Sequence, residues 1–273
     1  MDLDDPKIYQ QSLSLKTTIA SIDAFPEQLE QAWRESSHIP FPQKYKKAKN
    51  SIVCGMGGSR FTPLAVKERF KGELLIPYVI NDDYTLPNWV GPETLVVLSS
   101  YSGTTEEVLA CYEEGKKKRV VLWTAVTANG ALSEILKREK VPFYQIKPTR
   151  NPSGQPRLGV GYMTAGHIGI IYATGHLSSQ AHEIEKSIKK IDKLIESYNI
   201  NIQKVGNEAK QLAQLIYQRY PYLITAEFLQ GFGNSFGNGL NETAKSISSP
   251  RVIPELNHHL MEGLKFPDKL RDS

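Results

Sequence analysis

The chain has 273 residues, 40% hydrophobic and 23% charged, which suits one large or two ordinary globular units with a real buried core. Its formal net charge of +4 comes from basic residues scattered along the sequence, so no nucleic-acid footprint is read. The acidic start Met1-Asp2-Leu3-Asp4-Asp5-Pro6 has no apolar stretch of a signal peptide, and no run reaches the roughly 20 apolar residues of a membrane span.

Residues 1–50 read as a helical lead-in, with Asp23 capping a helix that presents Leu29, Ala32 and Trp33 on one face. The pattern then changes to short apolar runs alternating with helices. Strands are expected at Ser51–Cys54, Leu75–Ile80, Leu95–Leu98, Val120–Trp123 and 143–146, with helices near 62–70, 104–117 and 130–139. Thr104 and Glu107 have the spacing of a capping box. The run Lys116-Lys117-Lys118-Arg119 fits a solvated helix end, where cations complement the dipole. Apolar strands without strict alternation imply a doubly wound, five-stranded parallel sheet flanked by helices, an α/β class. Cys54 and Cys111 lie in apolar segments without metal-ligand spacing, so buried free thiols and a cytoplasmic location are expected.

Residues 148–159 are loop-like and rich in proline and glycine. Helical patterns follow near 160–175, 178–197 and 200–219. Pro221–Thr225 looks like the first strand of a second α/β unit, followed by a Gly/Asn-rich loop, a helix around Asn238–Ser246 and a strand at Arg251–Ile253. This divides the chain into 1–158, a helical connector 159–219, and the incomplete start of a second unit, 220–273.

Two turns carry the chemistry. Gly55-Met56-Gly57-Gly58-Ser59 follows a strand and opens a helix, at the end of a parallel strand where ligands bind. Glycines admit an anion to the backbone, and the helix start supplies N–H donors. It is neither a dinucleotide fingerprint nor a P-loop, and alone it fits a plain tight turn equally well. Ser99-Ser100-Tyr101-Ser102-Gly103-Thr104-Thr105-Glu106 bridges the next strand–helix pair and offers several hydroxyls. Two such turns on adjacent strands converge on one crevice fit for a phosphate.

The pair of turns resembles the sugar isomerase (SIS) family. Three later segments are similar to its bifunctional phosphoglucose/phosphomannose isomerase branch: Asn151-Pro152-Ser153-Gly154-Gln155-Pro156-Arg157 to Gly161-Tyr162, Asn241-Glu242-Thr243-Ala244-Lys245, and Pro254-Glu255-Leu256-Asn257-His258. The resemblance implies a SIS fold and an isomerase exchanging glucose 6-phosphate or mannose 6-phosphate with fructose 6-phosphate. It implies that Gly57, Gly58, Ser59, Ser100, Ser102 and Thr105 hold the phosphate. Glu242 would shuttle the proton between C1 and C2, Arg157 would steady the charge, and His258 would open the ring from the partner subunit of a homodimer. A carboxylate can serve both proton transfers, a guanidinium stays charged beside an enediolate, and histidine titrates near neutrality. This chemistry calls for no metal or cofactor. His38, His167, His176 and His182 match nothing and read as structural or surface residues.

The chain departs from the pattern in three places. His259 and Leu260 follow His258 where relatives carry Asn and Glu. Arg60 and Phe61 replace smaller residues, which should narrow the phosphate pocket. Family members continue further, to a lysine that neither Lys265 nor Lys269 matches, so a missing C-terminal part is expected. A non-catalytic sugar-phosphate sensor or interaction module is the alternative reading.

Overall fold

Short apolar strands, each followed by a helix, fold into the sheet that this pattern implies. The computed structural model describes residues 2–178 and 180–263. In it β1 (Asn50–Cys54), β2 (Tyr78–Asn81), β3 (Thr94–Ser99), β4 (Leu122–Thr127) and β5 (Tyr144–Gln145) form a parallel sheet in the order β2-β1-β3-β4-β5. Every residue of β3 and β4 is buried. That explains why these strands lack alternation: both faces are covered.

Period-two geometry still sorts their side chains. Ile52, Cys54, Val96 and Leu98 face one layer, with Val108, Cys111 and Leu132 of α4 (Glu106–Lys117) and α5 (Gly130–Arg138). Val53, Leu95 and Val97 face the other, with Val66 and Phe70 of α3 (Gly58–Phe70) and Ile168 and Ile171 of α6 (Val160–Ala173). The lead-in consists of α1 (Leu13–Asp23) and α2 (Phe25–Ser36), and α2 lays Leu29 and Ala32 against the same core as Tyr162 and Met163 of α6. Asp23 ends α1 rather than capping α2, whose start is set by Ala24 and Pro26. Both cysteines are buried free thiols.

Past α7 (Ala181–Ser197) and α8 (Glu208–Ile216), β6 (Tyr222–Ala226) and β7 (Ser249–Ile253) pair in parallel as a separate two-stranded sheet. The segment read as a Gly/Asn-rich loop is α9 (Gln230–Gly239) instead. Gly231 and Gly233 serve close packing, for a Cβ would lie 2.5 Å from the Ala65 Cα of α3 at the first and 2.9 Å from the Thr225 side chain at the second. The helix expected over Asn238–Ser246 is thus the end of α9 and one π turn, Leu240–Ala244. Among the described residues, no helix is long and apolar enough to cross a membrane.

Candidate active site

The chain leaves β1 toward β2 on one side and later enters β3 on the other. This reversal opens a crevice at the carboxyl ends of β1 and β3, the place where such sheets bind ligands. Both Ser/Gly turns lie there. Gly57 precedes α3 with φ 49°, and no side chain caps that helix. Gly103 sits at φ 70°, and a Cβ on it would meet the Asn129 carbonyl oxygen at 1.7 Å, so only glycine allows the second turn to close.

The first turn is held from below by a bond that a proline makes necessary. Pro63 lies inside α3 and has no N–H for the Ser59 carbonyl four residues earlier. The Ser99 hydroxyl donates to that carbonyl at 2.7 Å. Ser99 has one proton, so the His167 Nε2, 2.9 Å away, donates to the Ser99 oxygen. His167 is fully buried and its Nδ1 has no partner, which fits the same tautomer. Burial holds it neutral, with a pKa pushed down to about 3. The Ser59 hydroxyl in turn accepts the Tyr101 N–H at 3.1 Å and joins the two turns.

The second turn departs from the expected capping box. Thr105, not Thr104, stands at the start of α4, and no side chain accepts from the helix's first N–H groups. The hydroxyls pair among themselves, Ser100 with Thr105 at 2.8 Å and Ser102 with Thr104 at 3.0 Å. The first-turn amides therefore remain available to an anion.

A cavity of about 160 Å³ lies between the turns, lined by Gly58, Ser59, Tyr101, Ser102, Thr105, Arg157 and Glu242 among others. Ser100 is buried beneath it, where its oxygen accepts the Gly103 N–H, and Gly57 shapes the turn without lining the cavity. Arg157 comes from the loop before α6. It is held by Nε donating to Thr243 Oγ1 at 3.2 Å and a terminal nitrogen donating to Gln155 Oε1 at 3.0 Å. Glu242 comes from the π turn after α9, a geometry that recurs at functional sites. Lys245 ends that turn in the left-handed region and donates to the Glu242 carbonyl at 2.7 Å. His258 is exposed and lines neither this cavity nor the larger one beside it.

That second cavity measures about 570 Å³ and shares Arg157, Val160 and Glu242 with the first. Phe61, Phe232 and Phe236 give it an apolar wall. Phe61 thus faces the larger space, and Arg60 is drawn aside into an ion pair with Asp82 at 2.6 Å. The expected narrowing of the phosphate pocket by these two residues does not occur. Asn151 donates to the Tyr101 hydroxyl at 3.0 Å, which ties the Arg157 loop to the second turn. Sequence reasoning missed Thr243, Asn151 and the task of His167. The only available signal was their place inside or beside the motifs. Among the described residues, no group of His, Cys, Asp or Glu is placed to hold a metal ion.

Residues 205–273 match the family described as the bacterial phospho-glucose isomerase C-terminal SIS domain. A bifunctional phosphoglucose/phosphomannose isomerase from Caldicellulosiruptor bescii is 29% identical over 252 residues, covering 90% of this chain and 72% of that protein. The protein of the same description from Aquifex aeolicus is 28% identical, covering 81% of this chain and 63% of its own length. Among solved structures, the C-terminal domain of glucosamine-fructose-6-phosphate aminotransferase from Francisella tularensis superposes with a TM-score of 0.68 at 14% identity, over 91% of this chain and 73% of that one. Residues 205–273 thus match a SIS-domain family, most of the chain is similar in sequence to bifunctional phosphoglucose/phosphomannose isomerases, and its fold is that of the solved neighbour.

Proposed function

We propose that the protein is an aldose–ketose isomerase that exchanges glucose 6-phosphate or mannose 6-phosphate with fructose 6-phosphate. One observation carries this reading. A single cavity gathers hydroxyls from two helix-opening turns, a guanidinium and a carboxylate, contributed by four separate stretches of chain. The turns would hold the phosphate through Ser59, Ser102, Thr105 and the first-turn amides. That places the sugar carbons toward Arg157 and Glu242, where the small cavity opens into the larger one. Glu242 then takes the C2 proton of the open-chain aldose and returns it to C1, or the reverse. Arg157 stabilises the enediolate, whose charge exists only between the two transfers. His258 lies outside the cavity of its own chain; in a homodimer, His258 of a second copy would supply the ring-opening proton.

A coupled assay for fructose 6-phosphate tests the reading. Turnover by the wild type, abolished in Glu242→Gln, is the expected result. A wild type that binds a hexose phosphate through Ser102 but never turns it over would instead establish a sensor.

A further inference from the structure

Arg157 lies one residue from a staple in the loop before α6. We infer that Gln28, on α2, is the positioning residue that holds Arg157 at the reaction centre; the inference rests on the isomerase reading. The Gln28 side chain is wholly buried. Its Nε2 donates to the carbonyls of Arg150 and Leu158, each at 3.0 Å, and lies 3.3 Å from the Ser21 carbonyl. Its Oε1 accepts the Gly161 N–H at 3.2 Å. One amide therefore ties together the two ends of the segment that carries Arg157 and fastens it to the first residues of α6. The contact is close enough to exclude side chains, since a Cβ on Gly161 would lie 2.6 Å from the Gln28 Cβ.

A buried primary amide is suited to this task. It presents two donors and an acceptor in one plane, whereas a carboxylate would set negative charge against the carbonyls. The bonds run to backbone groups more than 120 residues away, so they belong to the tertiary fold and not to helix α2. The phosphate turns have fastenings of their own, the Ser59–Tyr101 and Ser99–His167 bonds, and meet the Arg157 loop through the Asn151–Tyr101 bond. Gln28 thus bonds directly to the segment carrying the group that meets developing charge, and reaches the phosphate site only through the Asn151–Tyr101 bond.

The test measures kcat and KM for isomerisation in wild type, Gln28→Met, Gln28→Glu, Arg157→Ala and the Gln28→Met/Arg157→Ala double variant, below each protein's melting transition. Gln28→Met should lower kcat by about 10- to 100-fold, as a misplacement near 1 Å does. KM should move by less than about threefold, and in the Arg157→Ala background the same change should cost no more than about twofold. Unchanged kcat, or an equal loss with and without Arg157, overturns the inference. If one variant fails to fold, the other is used. Affinities for inorganic phosphate and for an aldonohydroxamate 5-phosphate, an enediolate mimic, run beside the kinetics. Loss of mimic affinity with phosphate retained supports the role even if the wild type never turns over, an outcome that sinks only the isomerase reading. Mimic affinity intact in Gln28→Met overturns the role alone, and a wild type that ignores the mimic overturns both.

Discussion

Among the described residues, the two sheets differ in how far they are covered. In the first, β3 and β4 are buried at every residue between two helical layers. In the second, Tyr222 and Ile224 of β6 are 47% and 52% exposed, although parallel strands are normally covered on both faces. The candidate site draws on both. Its phosphate turns grow from the buried sheet, while Glu242 rides on the thinly buried unit and reaches the site because α9 docks on α3. A rigid element supplies binding, and a docked element supplies the reactive group. Binding and turnover should therefore be separable by mutation.

The largest effect is expected at the docked element. Glu242→Gln should lower kcat by about 10²- to 10⁴-fold, the range for a positioned acid or base, with little change in KM. If KM for the hexose phosphate rises as steeply as kcat falls, Glu242 belongs to binding and the division fails. Next comes the docking itself. Gly231→Val pushes a side chain into the Ala65 backbone and should cut kcat by about tenfold or more through displacement of α9. Inorganic phosphate should still bind this variant as tightly as wild type, measured by calorimetry. Weakened phosphate binding would show that the two units are not independent.

Ser102→Ala probes the buried sheet's side of the comparison. It should raise KM about tenfold, the worth of a hydrogen bond to a charged group, and leave kcat nearly unchanged. The smallest effect on activity concerns His167. Its folded pKa of about 3 lies below the ordinary histidine value, so the unfolded chain binds one more proton between those pH values. Stability should therefore fall by about 1.4 kcal/mol per pH unit as pH drops below roughly 6.5, and the loss should level off near pH 3. Denaturant melts of His167→Gln should lack this component. An unchanged pH slope would mean that His167 takes up its proton in the fold as readily as in the unfolded chain.

Much of this was legible in the residues. Apolar runs at the right spacing mark the five strands of the first sheet, and strand–turn–helix punctuation locates both phosphate turns. These features depend on neighbours a few positions away, which sequence displays directly. The same reasoning misread α9, because glycine and asparagine signal a loop wherever no packing partner is known. It placed a capping box at Thr104, whereas that hydroxyl pairs with Ser102 across the turn.

What the sequence by itself determined was the α/β pattern, the two turns and the motifs that carry Arg157, Glu242 and His258. Only the tertiary structure decided that Pro63 leaves the Ser59 carbonyl to Ser99, that a buried histidine completes that bond, and that Gln28 clamps the Arg157 loop. The physical reason is common to all three. A polar group buried in the core must find its partner wherever the fold brings one, and here those partners lie 40 to 130 residues away.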